Sequence, residues 1–208
     1  MGHSQDSKLE THEKILHSAG KRFREAGLQG IGVADLMQEV GLTVGGFYKH
    51  FSSRAALVAE ALATMRTGWD AIFEHARERQ QPNSLLFDAL VDGYLSTEHR
   101  DHPGEGCLFA ALSGELGRAD EEARTVATRK LATVLEKLTN VFDDRRAPAA
   151  RAAALFAYSA LVGALTLARA TNDEALSREI LATTAKALKK GLRPARATQP
   201  KQRAKAPS

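Results

Sequence analysis

Residues 32–51 read Gly-Val-Ala-Asp-Leu-Met-Gln-Glu-Val-Gly-Leu-Thr-Val-Gly-Gly-Phe-Tyr-Lys-His-Phe, and this stretch decides the fold. Apolar residues fall at Val33, Leu36, Met37, Val40, Leu42, Phe47 and Phe51. That spacing predicts two helices, near 34–40 and 43–50, each too short to stand alone. A tight turn at Gly41-Leu42-Thr43 joins them, which is the pattern of a helix-turn-helix. Gly41 is expected to take a positive φ that a side chain would penalise. Thr43 is expected to cap the second helix through its hydroxyl. Phe47 and Phe51 read as core, while Thr43, Val44, Gly45, Gly46, Tyr48, Lys49 and His50 point away from it. Two glycines in so short a helix cost roughly 1 kcal/mol each relative to alanine. Stability does not explain Gly45 and Gly46, whereas close approach to another surface does. Helix N-terminal N–H groups, hydroxyls, a lysine and a histidine are the groups that contact phosphates and base edges. The alternative for His50 is a packing and capping role.

Before this stretch, Ile15, Ala19, Phe23 and Ala26 form the apolar stripe of a helix near 10–26, with Gly27 as its stop. After it, Ser52 or Ser53 can cap a long helix reaching to about residue 78, and Gln80-Gln81-Pro82-Asn83 ends that helix. Further helices are predicted near 84–99, 106–117, 119–143, 149–170 and 173–190, with a loop at Asp101-His102-Pro103-Gly104. Ala127, Leu131, Val134, Leu135, Leu138, Val141 and Phe142 give the 119–143 helix one core face. Strand signals are nearly absent, so the fold class is all-α, with about nine helices. The division expected is a flexible arm over 1–8 and a helix-turn-helix domain over 9–52. A larger helical domain over 53–190 and a disordered basic tail over 191–208 complete it.

Composition narrows the function. With 43% hydrophobic and 26% charged residues, the chain of 208 residues reads as a soluble globular protein. The single cysteine, Cys107, excludes an intramolecular disulfide and a cysteine-rich zinc site. The net charge is +4, yet residues 191–208 alone hold Arg193, Arg196, Lys201, Arg203 and Lys205 and no acid. The body is therefore close to neutral, and a case for nucleic-acid binding must rest on local pattern. Residues 1–10 are polar, without the apolar core of a secretory signal. The uncharged run Ala152–Ala168 reaches only the short end of a membrane span and reads better as a buried helix. A cytoplasmic location is expected.

The helix-turn-helix stretch resembles the DNA-binding domain of TetR-family transcriptional regulators. The likeness includes Lys14-Ile15-Leu16 and Ala19 on the first helix and Gly41-Leu42-Thr43 at the turn. It continues through Phe47-Tyr48-Lys49-His50-Phe51 and Ser52-Ser53-Arg54 to Leu57. It covers about residues 10–62, and the Phe-Tyr-x-His-Phe element is the most diagnostic part. Met37 departs from the small alanine usual there, and Val44 from a polar residue. The resemblance implies a homodimer that places its third helices in successive major grooves of a palindromic operator. It implies Thr43, Val44, Gly45 and Gly46 at the groove, Tyr48 and His50 near phosphates, Lys49 on base or backbone, and Arg54 on a phosphate.

The same resemblance makes the larger domain a ligand-binding and dimerisation unit. The 149–170 helix is apolar all round, as a helix buried on more than one side must be. Leu155, Phe156, Ser159, Val162, Gly163 and Thr166, with Leu176 and Ile180 of the next helix, are the expected dimer contacts. Two such helix pairs would make a four-helix interface. Candidate ligand-wall residues are Trp69, Phe73, Phe87, Tyr94, Cys107, Phe109 and Leu112. Cys107 stands where a helix begins, a setting that lowers a thiol pKa, so a redox or electrophile sensor and a buried filler are both open.

No phosphate loop, dinucleotide fingerprint or nucleophile elbow occurs, so no enzyme, cofactor or metal is expected. His99 and His102 could share a metal, but their place beside Pro103 favours solvated side chains. The function expected is a ligand-responsive repressor that binds an operator as a dimer and is released by a small-molecule effector. A cysteine-based sensing regulator through Cys107, and a dimeric small-molecule binding protein that does not bind DNA, are the rivals.

Overall fold

The computed structural model describes residues 2–65, 69–70, 73–74, 83–142 and 148–192. The basic tail expected beyond 191 lies, from residue 193 on, outside the described residues. No strand occurs among those described, and the fold is all-α. Helix α1 spans Gly2–Ala26, α2 Val33–Glu39, α3 Val44–Phe47 and α4 Arg54–Thr64. They are followed by α5 (Asn83–Tyr94), α6 (Thr97–Asp101), a 3-10 turn (Pro103–Glu105) and α7 (Leu108–Leu116). The long helices α8 (Glu121–Phe142), α9 (Pro148–Ala170) and α10 (Glu174–Gly191) complete the chain.

Two of these bounds correct the sequence reading. Helix α1 reaches back to Gly2, so residues 2–8 continue the helix in place of a flexible arm. Residues 6–10 are exposed and mostly polar, and Thr11 Oγ1 also donates to Ser7 O. Helix α4 does not run on to residue 78: it ends at Thr64, where Met65 adopts φ −55 and ψ 125. The Lys130 ammonium of α8 donates to the freed Met65 carbonyl at 2.6 Å, which anchors the break. Apolar periodicity carries through such a bend, so it leaves no mark in the pattern.

The small N-terminal domain is held by one stripe. Ile15, Leu16, Ala19 and Phe23 of α1 are buried with Leu36 and Met37 of α2, Phe47 of α3, and Leu57 and Leu62 of α4. Burying each large side chain contributes about 1.5–3 kcal/mol. Gly27 (φ 85) ends α1 and Gly41 (φ 76) makes the turn between α2 and α3, both in the left-handed region. Ser53 caps α4 by accepting from Ala56 N–H at 3.1 Å. Polar ties add to the core: Ser18 donates to Glu39 at 2.8 Å, and Lys14 donates to Val40 O at 3.1 Å.

The body is a bundle in which α9 packs between α8 and α10, while α5 lies against α8 and α10. By length and composition alone α9 could cross a membrane, but here its inner residues Ala154, Ala157, Leu161, Ala164 and Leu165 are packed in the bundle. The two domains meet along α1, which touches α4, the 3-10 turn and α7. Glu115 of α7 accepts from Leu28 N–H at 2.9 Å, just past the end of α1.

Candidate nucleic-acid interface

The turn and α3 are built to present one face. Thr43 takes the extended N-cap conformation, but its hydroxyl makes no capping bond. The capping expectation is therefore corrected, and the hydroxyl stands exposed at the end of the helix. A Cβ on Gly46 would lie 3.6 Å from Met37 Cε, an ordinary contact, so packing inside the domain does not require glycine there. Around Gly45 nothing lies within 4 Å of such a Cβ, so its backbone is open to a partner from outside. Beyond Phe47 the chain continues as turns through His50, and Phe51 N–H returns to Phe47 O at 3.0 Å.

Thr43, Val44, Gly45, Tyr48 and Lys49 are all exposed, with Tyr48 72% and Val44 48% accessible. The Tyr48 ring stands edge-on to Phe47 at 5.2 Å, which aims it outward from a fixed base. His50 is half-buried beside His12, with ring centroids 5.7 Å apart. Burial and the neighbouring cations His12, Lys8 and Lys49 lower its pKa below the ordinary histidine value. An anion approaching this corner, such as a phosphate, would favour its protonated form. His12, which the sequence reading did not single out, stacks on Phe51 at 4.6 Å and binds Glu60 at 2.9 Å.

Arg54 does not face outward as expected. Its Nη2 donates to Leu28 O at 2.6 Å and Ile31 O at 3.0 Å. The guanidinium thus ties α4 to the connection between α1 and α2, because those carbonyls lie past the end of α1 and need donors.

The expected ligand-wall residues Trp69, Phe73, Phe87, Tyr94, Cys107, Phe109 and Leu112 all lie in the packed interior. Trp69 meets Phe73, Tyr94 and Tyr158 at 5.8, 5.1 and 5.6 Å, and Phe87 meets Phe142 at 4.8 Å. Phe109 also borders a shallow cleft, of about 220 Å³, with Leu116 and Leu131. Cys107 is wholly buried, its Sγ 3.5 Å from the Tyr158 hydroxyl. That position favours packing over an exposed sensor thiol.

His99 corrects the expectation of a solvated side chain, since both its ring nitrogens are spent on backbone. Nδ1 donates to Tyr94 O at 2.7 Å and Nε2 accepts from Cys107 N–H at 3.0 Å. The expected dimer residues behave differently. Leu155, Phe156, Ser159, Thr166 and Leu176 are exposed, and Val162, Gly163 and Ile180 are half-buried. Thr166 also donates to Ala110 O at 3.2 Å.

Two short helices pinned on a long first one, a positive-φ glycine at the turn and an outward third helix define a helix-turn-helix DNA-binding protein. Residues 15–61 match the family model described as bacterial regulatory proteins, tetR family. An uncharacterized HTH-type transcriptional regulator of Mycobacterium tuberculosis is 32% identical, over 77% of this chain and 85% of that protein. The chain belongs to the TetR family of transcriptional regulators.

Two solved structures share the fold at lower identity. A TetR-family regulator from Agrobacterium tumefaciens superposes with a TM-score of 0.74 at 20% identity, over 89% of this chain and 98% of that one. The reduced form of E. coli NemR gives 0.73 at 19% identity, over the same shares.

Proposed function

We propose that this protein is a ligand-responsive repressor that binds a palindromic operator as a homodimer and is released by a small-molecule effector. The observation that carries the reading is the outward face of α3. Val44 and Tyr48 are large apolar or aromatic side chains left exposed, while Leu36, Met37, Phe47 and Phe51 around them are buried. Folding gains nothing from that exposure, whereas a major groove supplies thymine methyls for Val44 and phosphates for the Tyr48 hydroxyl and Lys49. Thr43, the open backbone at Gly45 and the half-buried Gly46 complete the contact face, with His50 at its edge. Arg54 acts behind this face, holding the domain together.

Dimerisation is supported by a second exposed face. Leu155, Phe156, Leu167 and Leu176 are 44–62% accessible along α9 and α10. Such a patch on α9 and α10 fits pairing with a second copy about a two-fold axis. The break at Met65 places α4 between the two domains. Effector binding that shifts α4 changes the separation of the two α3 helices. Its effect on operator affinity equals its preference for the shifted state. The protein acts without an enzymatic step, in the cytoplasm, where its DNA partner lies.

Selection of bound fragments from genomic DNA by the purified protein tests the reading. Enrichment of one palindrome with half-sites about one helical turn or a multiple apart is the expected result. Uniform recovery of fragments by folded protein would remove sequence-specific regulation and leave the small-molecule binding alternative.

A further inference from the structure

Two ties hold the end of α1 to the body, and they sit at opposite ends of α7. Before its start, Arg24 Nε donates to Gly104 O at 2.6 Å. A Cβ on Gly104 would lie 2.5 Å from Glu25 Oε1 and 3.0 Å from Lys21 Cγ, so the backbone of the 3-10 turn rests directly on α1. Near the end of α7, Glu115 accepts from Leu28 N–H at 2.9 Å. A Cβ on Gly27 would lie 2.6 Å from Glu115 Oε1, so the carboxylate covers the left-handed turn that ends α1. Helices that end on a left-handed glycine commonly return the next N–H to their own last turn. Here Gly27 N–H does return, to Phe23 O at 2.8 Å, but Leu28 N–H goes to the body.

The Leu28 peptide is gripped from its other side as well. Arg54, at the start of α4, donates to its carbonyl at 2.6 Å. One peptide thus joins α7 of the body to the helix that follows α3. Helix α7 is in turn fixed to α9. Thr166 of α9 donates to Ala110 O at 3.2 Å. Arg169 of α9 donates to His99 O at 2.5 Å, and His99 Nε2 accepts from Cys107 N–H at 3.0 Å where α7 begins. Helix α9 carries the exposed Leu155, Phe156 and Leu167 of the dimer strip. A continuous set of hydrogen bonds therefore runs from that strip through α7 to the helix-turn-helix, and it crosses between the domains at Glu115. A carboxylate accepting from a backbone N–H makes the stronger, charge-assisted kind of bond.

We propose that Glu115 determines which half-site spacing the dimer accepts. By tying Leu28 to α7 it fixes the direction of the N-terminal domain on the body, and with it the separation of the two α3 helices. The inference rests on the dimeric operator reading above. One base pair added between half-sites moves them apart by about 3.4 Å and turns them by about a tenth of a helical turn. An N-terminal domain released at Leu28 follows that change at little cost, and one held by Glu115 does not. Contact with a single half-site needs no such tie, since Glu115 belongs to α7 and lies outside the α3 face. Glu115 is thus a positioning residue, acting on DNA through Leu28.

The test uses the full-length protein and the palindrome recovered from genomic DNA. Fluorescence anisotropy gives the affinity for that duplex, for versions with one base pair inserted or removed between the half-sites, and for a duplex with a single half-site. We expect the parent to prefer its own spacing at least tenfold. Glu115→Ala should cut that preference to threefold or less and leave single half-site affinity unchanged. Glu115→Gln, whose amide oxygen still accepts from Leu28 N–H, should keep most of it. A second readout needs no DNA. Spin labels on Gln38→Cys, exposed on α2, should give a broader distance distribution across the dimer when Glu115→Ala is added, Cys107 being too buried to take the label. Parent-like spacing preference with an equally narrow distribution in Glu115→Ala would overturn the proposal. Equal losses on the palindrome and on the single half-site would also overturn it, because Glu115 would then only stabilise the N-terminal domain. So would a Gln variant no better than the Ala one. A parent indifferent to spacing, or one giving no dipolar signal between labels, would reject the dimeric operator reading and this proposal with it.

Discussion

Tyr48 and Lys49 stand just past the end of α3 with little to do inside the protein. Tyr48 touches Phe47 edge-on, and both side chains are exposed. Tyr48→Phe and Lys49→Ala should therefore leave the melting temperature within a degree or two of the parent. Each should weaken operator binding by roughly tenfold, the order of about 1–3 kcal/mol that a good DNA contact is worth. Fluorescence anisotropy at fixed salt measures this, and unchanged affinity in both would remove them from the contact face. Arg54 should behave in the opposite way. Its guanidinium holds the carbonyls of Leu28 and Ile31, so Arg54→Ala should cost about 1–3 kcal/mol in denaturant unfolding. A loss of DNA affinity in that variant without loss of stability would restore the phosphate contact that sequence position suggested. Sequence could place Arg54 at the start of α4, but its direction depends on the end of α1, which periodicity does not orient.

Helix α6 and the loop before α7 form a clamp that depends on one neutral imidazole. Cys107 N–H needs an acceptor, and His99 Nε2 supplies it only while unprotonated. Burial lowers the His99 pKa, the Tyr94 carbonyl works against that shift, and Arg169 adds to it. A histidine of depressed folded pKa contributes fully above the ordinary value of 6.5. As pH falls below that value the unfolded chain takes up the proton first, and stability is lost down through the folded value. The melting temperature of the parent should fall between pH 6.5 and 5, and the fall should be smaller in His99→Gln. Equal pH profiles would show that the clamp does not titrate.

At this scale the sequence was informative where periodicity and caps coincide. Ser53, Gly27 and Gly41 sit where the pattern placed them, and the core face of α8 is as expected. It was uninformative at Met65 and over 2–8, because a bend within an apolar run and a polar helix extension both leave the periodicity intact.

Among the described residues two surfaces stand unfinished, the α3 face and the apolar strip on α9 and α10. Phe156 is 62% exposed on that strip, so Phe156→Glu should leave the fold intact and weaken self-association at least tenfold by sedimentation. Operator affinity should fall with it, because each subunit alone reaches one half-site. An unchanged sedimentation profile would move the dimer interface elsewhere. The central claim is that two copies bind one palindrome through α3, and the mass of the protein–operator complex tests it most directly. Native mass spectrometry on the selected operator should show two chains per palindrome, and a half-site mutation should abolish that species. A single chain bound per operator, or complexes that form equally on scrambled DNA, would contradict the account.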